Sequence, residues 1–299
     1  MFKKPPLPFI GNKNKYIKYI NVILIPYLKH NNLIDDKTII VDVFGGSGIL
    51  SHIFAFNFPN NQIIYNDYDN YTQYLKHDKE LCSLDPQGDN LIKLNKILHY
   101  LRNIFDNNPT DKITAEENEK EHIFDKIKSH INKFFPNWSN TYIKHWLNAQ
   151  ISFYGLDKPD DDNNILYNRV KKNDYETDIY NNYILPNIQI THNNYQTVFK
   201  TYGKNNNCIF ILDPPYNETF DEAYKSAFTR TVSYIEYDTL TVLNFAIHHK
   251  SIYFESSKFK IMKYIKEYKQ TVKFTYNLLQ KSKFQLNSPN TDYMIMFNL

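Results

Sequence analysis

Cysteine is scarce in this sequence, and the spacings typical of metal sites are missing from it. The 299 residues include two cysteines, Cys82 and Cys208, which lie far apart and form neither a metal-ligand pattern nor a disulfide framework. The ten histidines show no zinc spacing, and nothing resembles a Ser-His-Asp or Cys-His nucleophile site. These absences predict an intracellular protein without a resident metal.

Long apolar segments are also missing. No run approaches the roughly 20 apolar residues that span a membrane, and the start, Met1 to Pro6, lacks the apolar core of a signal peptide. A cytoplasmic protein without a membrane partner is therefore expected. The net charge is only +3, so composition alone does not indicate nucleic acid, whereas 42% hydrophobic residues suffice for a large core.

Hydrophobic patterning predicts an α/β fold that begins with a βαβ unit. A helix over 13–28 precedes a buried strand at 38–43, a glycine turn, a helix from Ile49 and a strand at 62–65 that leads into an acid. The later elements are expected as strands at 188–191, 208–212 and 251–254, a helix near 236–249, and an antiparallel pair near 271–277 and 291–298.

The middle of the chain has a different character. Residues 85–186 are polar, and helical segments are expected there near 89–104, 116–134 and 138–151. The predicted organisation is an open α/β domain in two parts, residues 1–84 and 187–299, around a mostly helical insert at 85–186.

The first motif is the turn Asp42-Val43-Phe44-Gly45-Gly46-Ser47-Gly48 between a strand and a helix. Glycine lets a ligand approach the backbone, and the helix start offers free N–H groups. The pattern is neither G-x-G-x-x-G nor a P-loop, which favours a nucleoside with a charged tail over a phosphate ligand. Asp67, after the next strand, is placed to accept hydrogen bonds from ribose hydroxyls. The plainer alternatives are a tight turn and a solvated acid.

The second motif is Asp213-Pro214-Pro215-Tyr216, directly after the strand at 208–212. Two prolines cannot continue a central strand, so the loop is stiff and its carbonyls are fixed. The amine of adenine is a poor nucleophile because its lone pair is delocalised into the ring. Asp213 and the Pro214 carbonyl can each accept one N–H and free that lone pair to attack a methyl group, while Tyr216 stacks on the base, worth about 1–3 kcal/mol. An ordinary Pro-Pro turn is the alternative.

A third motif, Pro8-Phe9-Ile10-Gly11-Asn12-Lys13, precedes the first helix. Gly11 allows close approach to a ligand. The helix dipole does not favour a cation at a helix start, so Lys13 indicates an anionic partner such as a carboxylate or phosphate. A surface lysine in an N-terminal arm is the alternative.

Together these motifs resemble the Dam-type (alpha-group) adenine-specific DNA methyltransferases, in the same order and over most of the chain outside the insert. The resemblance implies a Rossmann-like, class I S-adenosylmethionine-dependent methyltransferase sheet with residues 85–186 as the target-recognition domain. It implies an enzyme that transfers a methyl group from S-adenosylmethionine to N6 of a flipped-out adenine in a specific duplex DNA sequence.

The resemblance also implies residue roles. Lys13 would lie near the methionine carboxylate and Asp67 at the ribose. The methionine portion would be held by Asp42, Phe44, Gly45 and Gly48. The implied cofactor-binding residues are Phe9, Gly11, Lys13, Asp42, Phe44, Gly45, Gly48 and Asp67. The implied catalytic loop is Asp213, Pro214, Pro215 and Tyr216. In the family, a further segment follows the catalytic loop. This chain resembles that segment at Phe228, Thr229 and Asp238.

Two features depart from the family pattern. The family usually has Asp-Phe where this chain has Asn194-Tyr195, and the acid there accepts a hydrogen bond from the cofactor's adenine. Asn194 can accept through its side-chain oxygen, so both residues are expected to bind the cofactor. The insert lacks a clear copy of the segment that GATC-specific members share, which leaves the target sequence open.

Basic residues indicate where duplex DNA would bind. Residues 258–283 contain eight lysines and one acid, Glu267, and phosphate contacts supply most non-specific affinity for DNA. A solvated, lysine-rich helix and hairpin is the alternative. The candidate DNA-binding residues are Asn140, Lys144, Arg169, Lys171, Lys172, Lys281 and Lys283.

Other functions stay open. The same tetrapeptide occurs in some ribosomal RNA methyltransferases that act on guanine or adenine, and cytosine amino-methyltransferases more often carry Ser in place of Asp213. A non-catalytic DNA-binding protein could also keep the fold. A monomer is expected, nucleoid-associated if bacterial, and a cognate restriction endonuclease is a candidate protein partner.

Overall fold

The computed structural model describes residues 2, 5–6, 16–68, 70–73, 75–76, 89–106, 117–139, 179–215, 236–256, 261–271, 276–281 and 292–299. The helices are α1 (Ile17–Tyr19, a π-helical turn Ile20–Leu24, and Ile25–His30), α2 (Ile49–Asn57), α3 (Asp89–Asp106), α4 (Glu117–Asn132), α5 (Ile179–Tyr183), α6 (Tyr195–Tyr202), α7 (Glu236–His248) and α8 (Ile261–Thr271). The strands are β1 (Ile39–Asp42), β2 (Ile63–Asn66), β3 (Ile188–Thr191), β4 (Cys208–Leu212), β5 (Ser251–Ser256), β6 (Tyr276–Lys281) and β7 (Asp292–Phe297).

One sheet of seven strands, as far as the described ranges show, organises these elements in the order β3-β2-β1-β4-β5-β7-β6. The first five strands are parallel, and β7 lies antiparallel between β5 and β6. The chain moves outward from β1 to β3 and then returns to place β4 on the other side of β1. Ligands of open α/β sheets bind at the carboxyl ends of the strands beside such a reversal. The candidate site is therefore expected where β1 and β4 end.

Strand β4 shows why these residues form a central strand. All five of its residues are buried, which is the pattern of a parallel strand covered by helices on both faces. Its side chains alternate between two apolar clusters, Ile209 and Ile211 in one and Cys208, Phe210 and Leu212 in the other. The first cluster packs against α1 and α2, and the second against α6 and α7.

Helix α1 contains a π-helical turn that the sequence pattern did not predict. Pro26 follows this turn, in the first turn of the next α-helical segment. Proline has no N–H, so the carbonyl of Val22 loses its α-helical donor. A wider turn immediately before the proline is a common response to such a lost bond.

Helices α3 and α4 contact each other in the middle of the chain. Their buried apolar side chains belong to neither of the two clusters that flank the sheet; they include Leu94, Ile97, Leu98, Leu101, Ile127 and Ile131. The helices expected near 89–104 and 116–134 are therefore confirmed. The domain boundaries at 84 and 186 stay a prediction, and most of the helix expected at 138–151 lies outside the described residues.

Most of the other predicted helices and strands are present in the structure. The α/β class is confirmed, β3 and β4 have the predicted bounds, and β6 with β7 forms the predicted antiparallel pair. The strand expected from residue 271 begins later, because helix α8 extends to Thr271. Within the described ranges, no helix is long and apolar enough to cross a membrane.

The amino ends of the first three strands are held together by two amides. The side-chain amide of Asn187 donates towards the carbonyls of Ala55, Phe58 and Asn61 at 3.0–3.3 Å. Asn61 in turn donates to the carbonyl of Thr38 at 2.9 Å. This network lies at the opposite edge of the sheet from the candidate site.

We expect Asn187→Ala to lower the free energy of unfolding by about 1–3 kcal/mol, because three carbonyls lose their shared donor in a partly buried position. Urea unfolding followed by circular dichroism measures the change. Asn21→Ala is the control: its amide donates to the carbonyl of Ile17 within its own helix and joins no separate segments among the described residues, so a change within about 0.5 kcal/mol is expected. Equal losses in the two variants would contradict the assignment.

Candidate active site

Asp42 is the last residue of β1 and is fully buried, with 0% of its surface exposed. Its Oδ2 accepts a hydrogen bond from Ser51 Oγ at 2.7 Å, in the first turn of α2. Its Oδ1 makes no hydrogen bond to any described residue. Buried polar atoms are normally paired, so this oxygen is available to a donor group of a ligand.

A second carboxylate, that of Asp213, follows β4 on the neighbouring strand. Burial raises the pKa of Asp42 from an ordinary 3.8 to about 7, the Ser51 hydroxyl opposes that rise, and the negative charge of Asp213 adds to it. Two acids therefore lie at the point where the strand order reverses. Such a pair favours a cationic or hydrogen-donating ligand over an anionic one.

The glycine turn after β1 lies directly against the ring of Tyr65. A Cβ added to Gly45 would be 2.3 Å from Tyr65 Cδ2, and one added to Gly48, whose φ is +73°, would be 2.9 Å from the same ring. The Tyr65 hydroxyl donates to the carbonyl of Gly46 at 2.6 Å. The first reason for these two glycines is thus the packing of Tyr65 on β2; their predicted contact with a cofactor stays a prediction.

Helix α2 begins immediately after this turn, and Gly48 offers it no side-chain cap. Ser51 donates to Asp42 through its backbone N–H as well as its hydroxyl. Asp42 therefore supplies the negative charge that a helix start favours. The sequence pattern did not identify Ser51, because its partner is nine residues earlier, across the turn.

Asp67 is fully buried after β2, and its carboxylate holds the next turn of the chain. Oδ1 accepts from the backbone N–H of Tyr71 at 2.7 Å, and Oδ2 accepts from the N–H and hydroxyl of Thr72 at 2.8 and 2.6 Å. These bonds hold the backbone at residues 71 and 72, where the chain enters a helical segment. Asp67 thus has a structural role that the sequence analysis did not predict, and ribose binding by Asp67 stays a prediction.

Two predicted cofactor residues meet on the next part of the edge. The rings of Phe44 and Tyr195 have centroids 5.6 Å apart with an interplanar angle of 31°. The Tyr195 hydroxyl donates to Asp238 Oδ1 in α7, which brings in a third residue that the family resemblance had marked. Asn194 caps α6 by accepting the N–H of Thr197 at 2.8 Å, so its side-chain oxygen already has one donor.

The start of the chain also packs close to this edge. The backbone N–H of Phe2 donates to His52 Nε2 at 3.0 Å, and His52 Nδ1 donates to the Tyr183 carbonyl at 2.8 Å. Burial lowers the pKa of His52, in accord with a neutral ring that accepts at Nε2. The Tyr183 hydroxyl donates to the carbonyl of Ser47 in the glycine turn at 2.8 Å.

The structure thus brings together the ends of four parallel strands. Asp42 and Phe44 follow from β1, Asp67 from β2, Tyr195 from β3, and Asp213 with Pro214 and Pro215 from β4. Lys281 is the last residue of β6, which ends at the same edge of the sheet three strand positions from β4. The candidate residues outside the described ranges are Phe9, Gly11, Lys13, Asn140, Lys144, Arg169, Lys171, Lys172, Tyr216, Phe228, Thr229 and Lys283. No group of three or more potential metal-ligating side chains occurs in the part of the chain that the structure describes.

We expect the stability of the protein to fall between about pH 4 and pH 7 through Asp42. Its pKa is higher in the folded state, so the folded protein retains a proton there that the unfolded chain releases. The loss is at most about 1.4 kcal/mol per pH unit. Urea unfolding at several pH values measures the effect. As pH rises to about 7, the free energy of unfolding of Asp42→Asn should increase relative to that of the parent, and above pH 7 the difference should stay constant.

Ser51→Ala provides the companion test for Asp42. It removes the hydroxyl that stabilises the charged carboxylate, so the pKa of Asp42 should rise further. The decline in the free energy of unfolding should therefore extend to higher pH than in the parent. Parallel pH curves for the parent and Asp42→Asn would contradict the assigned burial effect.

We expect Gly45→Ala to cost about 1–3 kcal/mol of stability, because the added methyl group overlaps the ring of Tyr65. A double-mutant cycle with Tyr65→Ala measures the coupling. Removal of the ring should make the alanine at position 45 less costly. The same cost in both backgrounds would show that Tyr65 does not impose the glycine.

Comparison with known proteins gives the chemical class. No protein-family model matches the chain. The chain is 30% identical over 270 residues to a protein of Haemophilus influenzae described as a "Putative methyltransferase", and the match spans 88% of this chain and 79% of that protein. A match that spans most of both chains includes the ends of β1 to β4. The chain therefore belongs to this methyltransferase family.

Proposed function

We propose that this methyltransferase transfers the methyl group of S-adenosylmethionine to the N6 amine of an adenine that has left a DNA duplex. The observation that carries the proposal is the position of Asp213 and Pro214 at the end of β4, beside buried Asp42 at the end of β1. In support of the proposal, the motif suited to an adenine amine lies beside Asp42, the acid proposed to bind the cofactor, at the reversal of strand order.

The described residues fit S-adenosylmethionine. Its ammonium group is a cation with N–H donors, which matches the buried Oδ1 of Asp42, an atom without a hydrogen-bond partner among the described residues. The rings of Phe44 and Tyr195 offer an aromatic wall for a nucleobase. We therefore assign the methionine end to the Asp42 turn and the adenine end to Asn194 and Tyr195. Phe44, which the family resemblance assigns to the methionine portion, is assigned to the adenine end as well, because its ring lies against that of Tyr195. When bound, the cofactor supplies a methyl group on a positively charged sulfur.

The catalytic work falls to Asp213 and Pro214. The Asp213 carboxylate and the Pro214 carbonyl each accept one N–H of the target amine, which releases its lone pair from the ring. The two acceptors can hold their positions because Asp213 directly follows a strand whose five residues are all buried, and two prolines fix the backbone that comes next. Pre-positioned acceptors of this kind need no rearrangement during the reaction.

An adenine inside a duplex cannot reach such an edge, so the base must be flipped out. Tyr216 is proposed to stack on it. Residues 85–186 are proposed to recognise the DNA sequence, since the cofactor and catalytic motifs lie on both sides of them. Lys126 on α4 and Lys133 just after it are exposed and would add to the phosphate contacts.

We expect Asp213→Ala to reduce methyl transfer about a hundredfold or more, the usual cost of losing one pre-positioned hydrogen-bonding partner. S-adenosylmethionine should bind about as well as to the parent, because Asp213 acts on the amine. Radiolabelled methyl transfer to duplex DNA measures the first quantity, and calorimetric titration the second. Asp36→Ala, an exposed acid distant in sequence from the motif, is the matched control and should leave both unchanged.

The choice of substrate is tested in the same assay. Parallel reactions with duplex DNA and with ribosomal RNA fragments should label only DNA, and digestion to nucleosides should yield N6-methyladenosine in its deoxy form. Label found only in RNA, or on cytosine, would overturn the proposal. Retention of more than about one per cent of parental transfer by Asp213→Ala would contradict the role of Asp213.

A further inference from the structure

Asn66, the last residue of β2, has a side-chain amide that is completely hydrogen-bonded. Its Nδ2 donates to the carbonyls of Val43 at 2.9 Å and Asn193 at 2.8 Å. Its Oδ1 accepts from the Thr191 hydroxyl at 3.0 Å and from the Asn193 N–H at 2.9 Å. An amide has two N–H groups and two acceptor positions, so all four are used, and only 1% of Asn66 is exposed.

The main chain of Asn66 adds a fifth bond. Its carbonyl accepts from the N–H of Gly45 at 3.3 Å. Asn66 is therefore hydrogen-bonded to Val43, the residue before Phe44, and to Gly45, the residue after it. On its other side it holds Asn193, two residues before Tyr195.

We propose that Asn66 is a positioning residue for the cofactor: it sets the separation between Phe44 and Tyr195, the two rings proposed to contact the cofactor's adenine. The inference rests on the proposed function, because it takes the cofactor to bind between the β1 and β3 loops. Asn66 itself is buried, and its side chain is fully occupied by hydrogen bonds to the protein. Its effect is transmitted through the backbone on either side.

The partners of Asn66 explain why another residue cannot replace it easily. Two carbonyls on one side require donors, while an N–H and a hydroxyl on the other side require acceptors. Aspartate offers no donor to the carbonyls. Alanine leaves all four partners without a bond, so the loops must move to reach water or each other. Either change alters the distance between the two rings.

Asn187 provides a matched control within the same sheet. It too is an asparagine whose amide joins separate backbone segments, with three carbonyl partners. However, it lies at the amino ends of the strands, opposite the site. A general loss of sheet stability should follow from either substitution, whereas a loss of cofactor affinity should follow only from that of Asn66.

The test measures the Kd for S-adenosylmethionine by calorimetry and the Tm of the full chain for the parent, Asn66→Ala and Asn187→Ala. Both variants should melt below the parent. Asn66→Ala should bind about tenfold more weakly or worse, equivalent to about 1.4 kcal/mol, while Asn187→Ala stays within about twofold. In methyl transfer, Asn66→Ala should raise KM for the cofactor more than it lowers kcat at saturation.

A milder variant keeps the test decisive if Asn66→Ala does not fold. Thr191→Val removes one donor to Asn66 Oδ1 and preserves the shape of the side chain on β3. It should weaken cofactor binding by about two- to fivefold with a small change in Tm, the loss expected for one neutral hydrogen bond.

The outcomes separate the inference from the proposed function. If the parent binds no S-adenosylmethionine, the proposed function fails and the inference fails with it. If the parent binds, the inference is overturned when a folded Asn66→Ala has the same affinity as Asn187→Ala. It is likewise overturned when Asn66→Ala does not fold and Thr191→Val binds as the parent does.

Discussion

The ring of Tyr65 lies against the turn that follows β1, and the carboxyl edge of the sheet is arranged around that contact. The ring is completely buried, and only glycines at positions 45 and 48 leave room for it. Burial raises the pKa of Tyr65 well above its ordinary value, so the hydroxyl remains a donor to Gly46. After this turn α2 begins, and the Ser51 hydroxyl in its first turn donates a hydrogen bond to Asp42. The turn that carries Phe44 and leads to Ser51 thus depends on this packing.

The buried carboxylate of Asp42, at the end of β1, lowers the stability of the fold when it is ionised. We attribute its presence to the candidate site. An ionised carboxylate inside a protein is costly unless it is paired. Within the described part of the chain, only one of the two carboxylate oxygens of Asp42 has a hydrogen-bond partner. The surrounding sheet tolerates this because its apolar clusters on both faces are extensive. Functional sites commonly retain such local cost, which the remainder of the fold offsets. A cationic methyl donor would remove the cost at the moment it binds.

Most elements with a strong local pattern were predicted, with α6 as an exception, whereas contacts between residues distant in sequence were not. Strand β4 was predicted with its bounds because five apolar residues end at two prolines. Helix α6 was missed, although Asn194 is a good cap and Tyr195, Val198, Phe199 and Tyr202 have helical spacing; the pair Asn194-Tyr195 had been interpreted only as a cofactor motif. The role of Asn66 could not have been predicted, because its side-chain partners lie 23 to 127 residues away. The same holds for the pairing of Asp42 with Asp213, which exists only once β4 lies beside β1.

The strand order has a consequence for how the chain is made. Strand β1 ends at residue 42, and its second neighbour, β4, begins at residue 208. A ribosome that adds about 5–20 residues per second needs roughly 8–33 seconds to synthesise what lies between. During that interval the nascent chain carries a finished apolar strand with one unpaired edge, the kind of surface that other chains can join. Synthesis of this protein therefore contains a window in which association with a chaperone would matter most, and it closes when Cys208–Leu212 emerges.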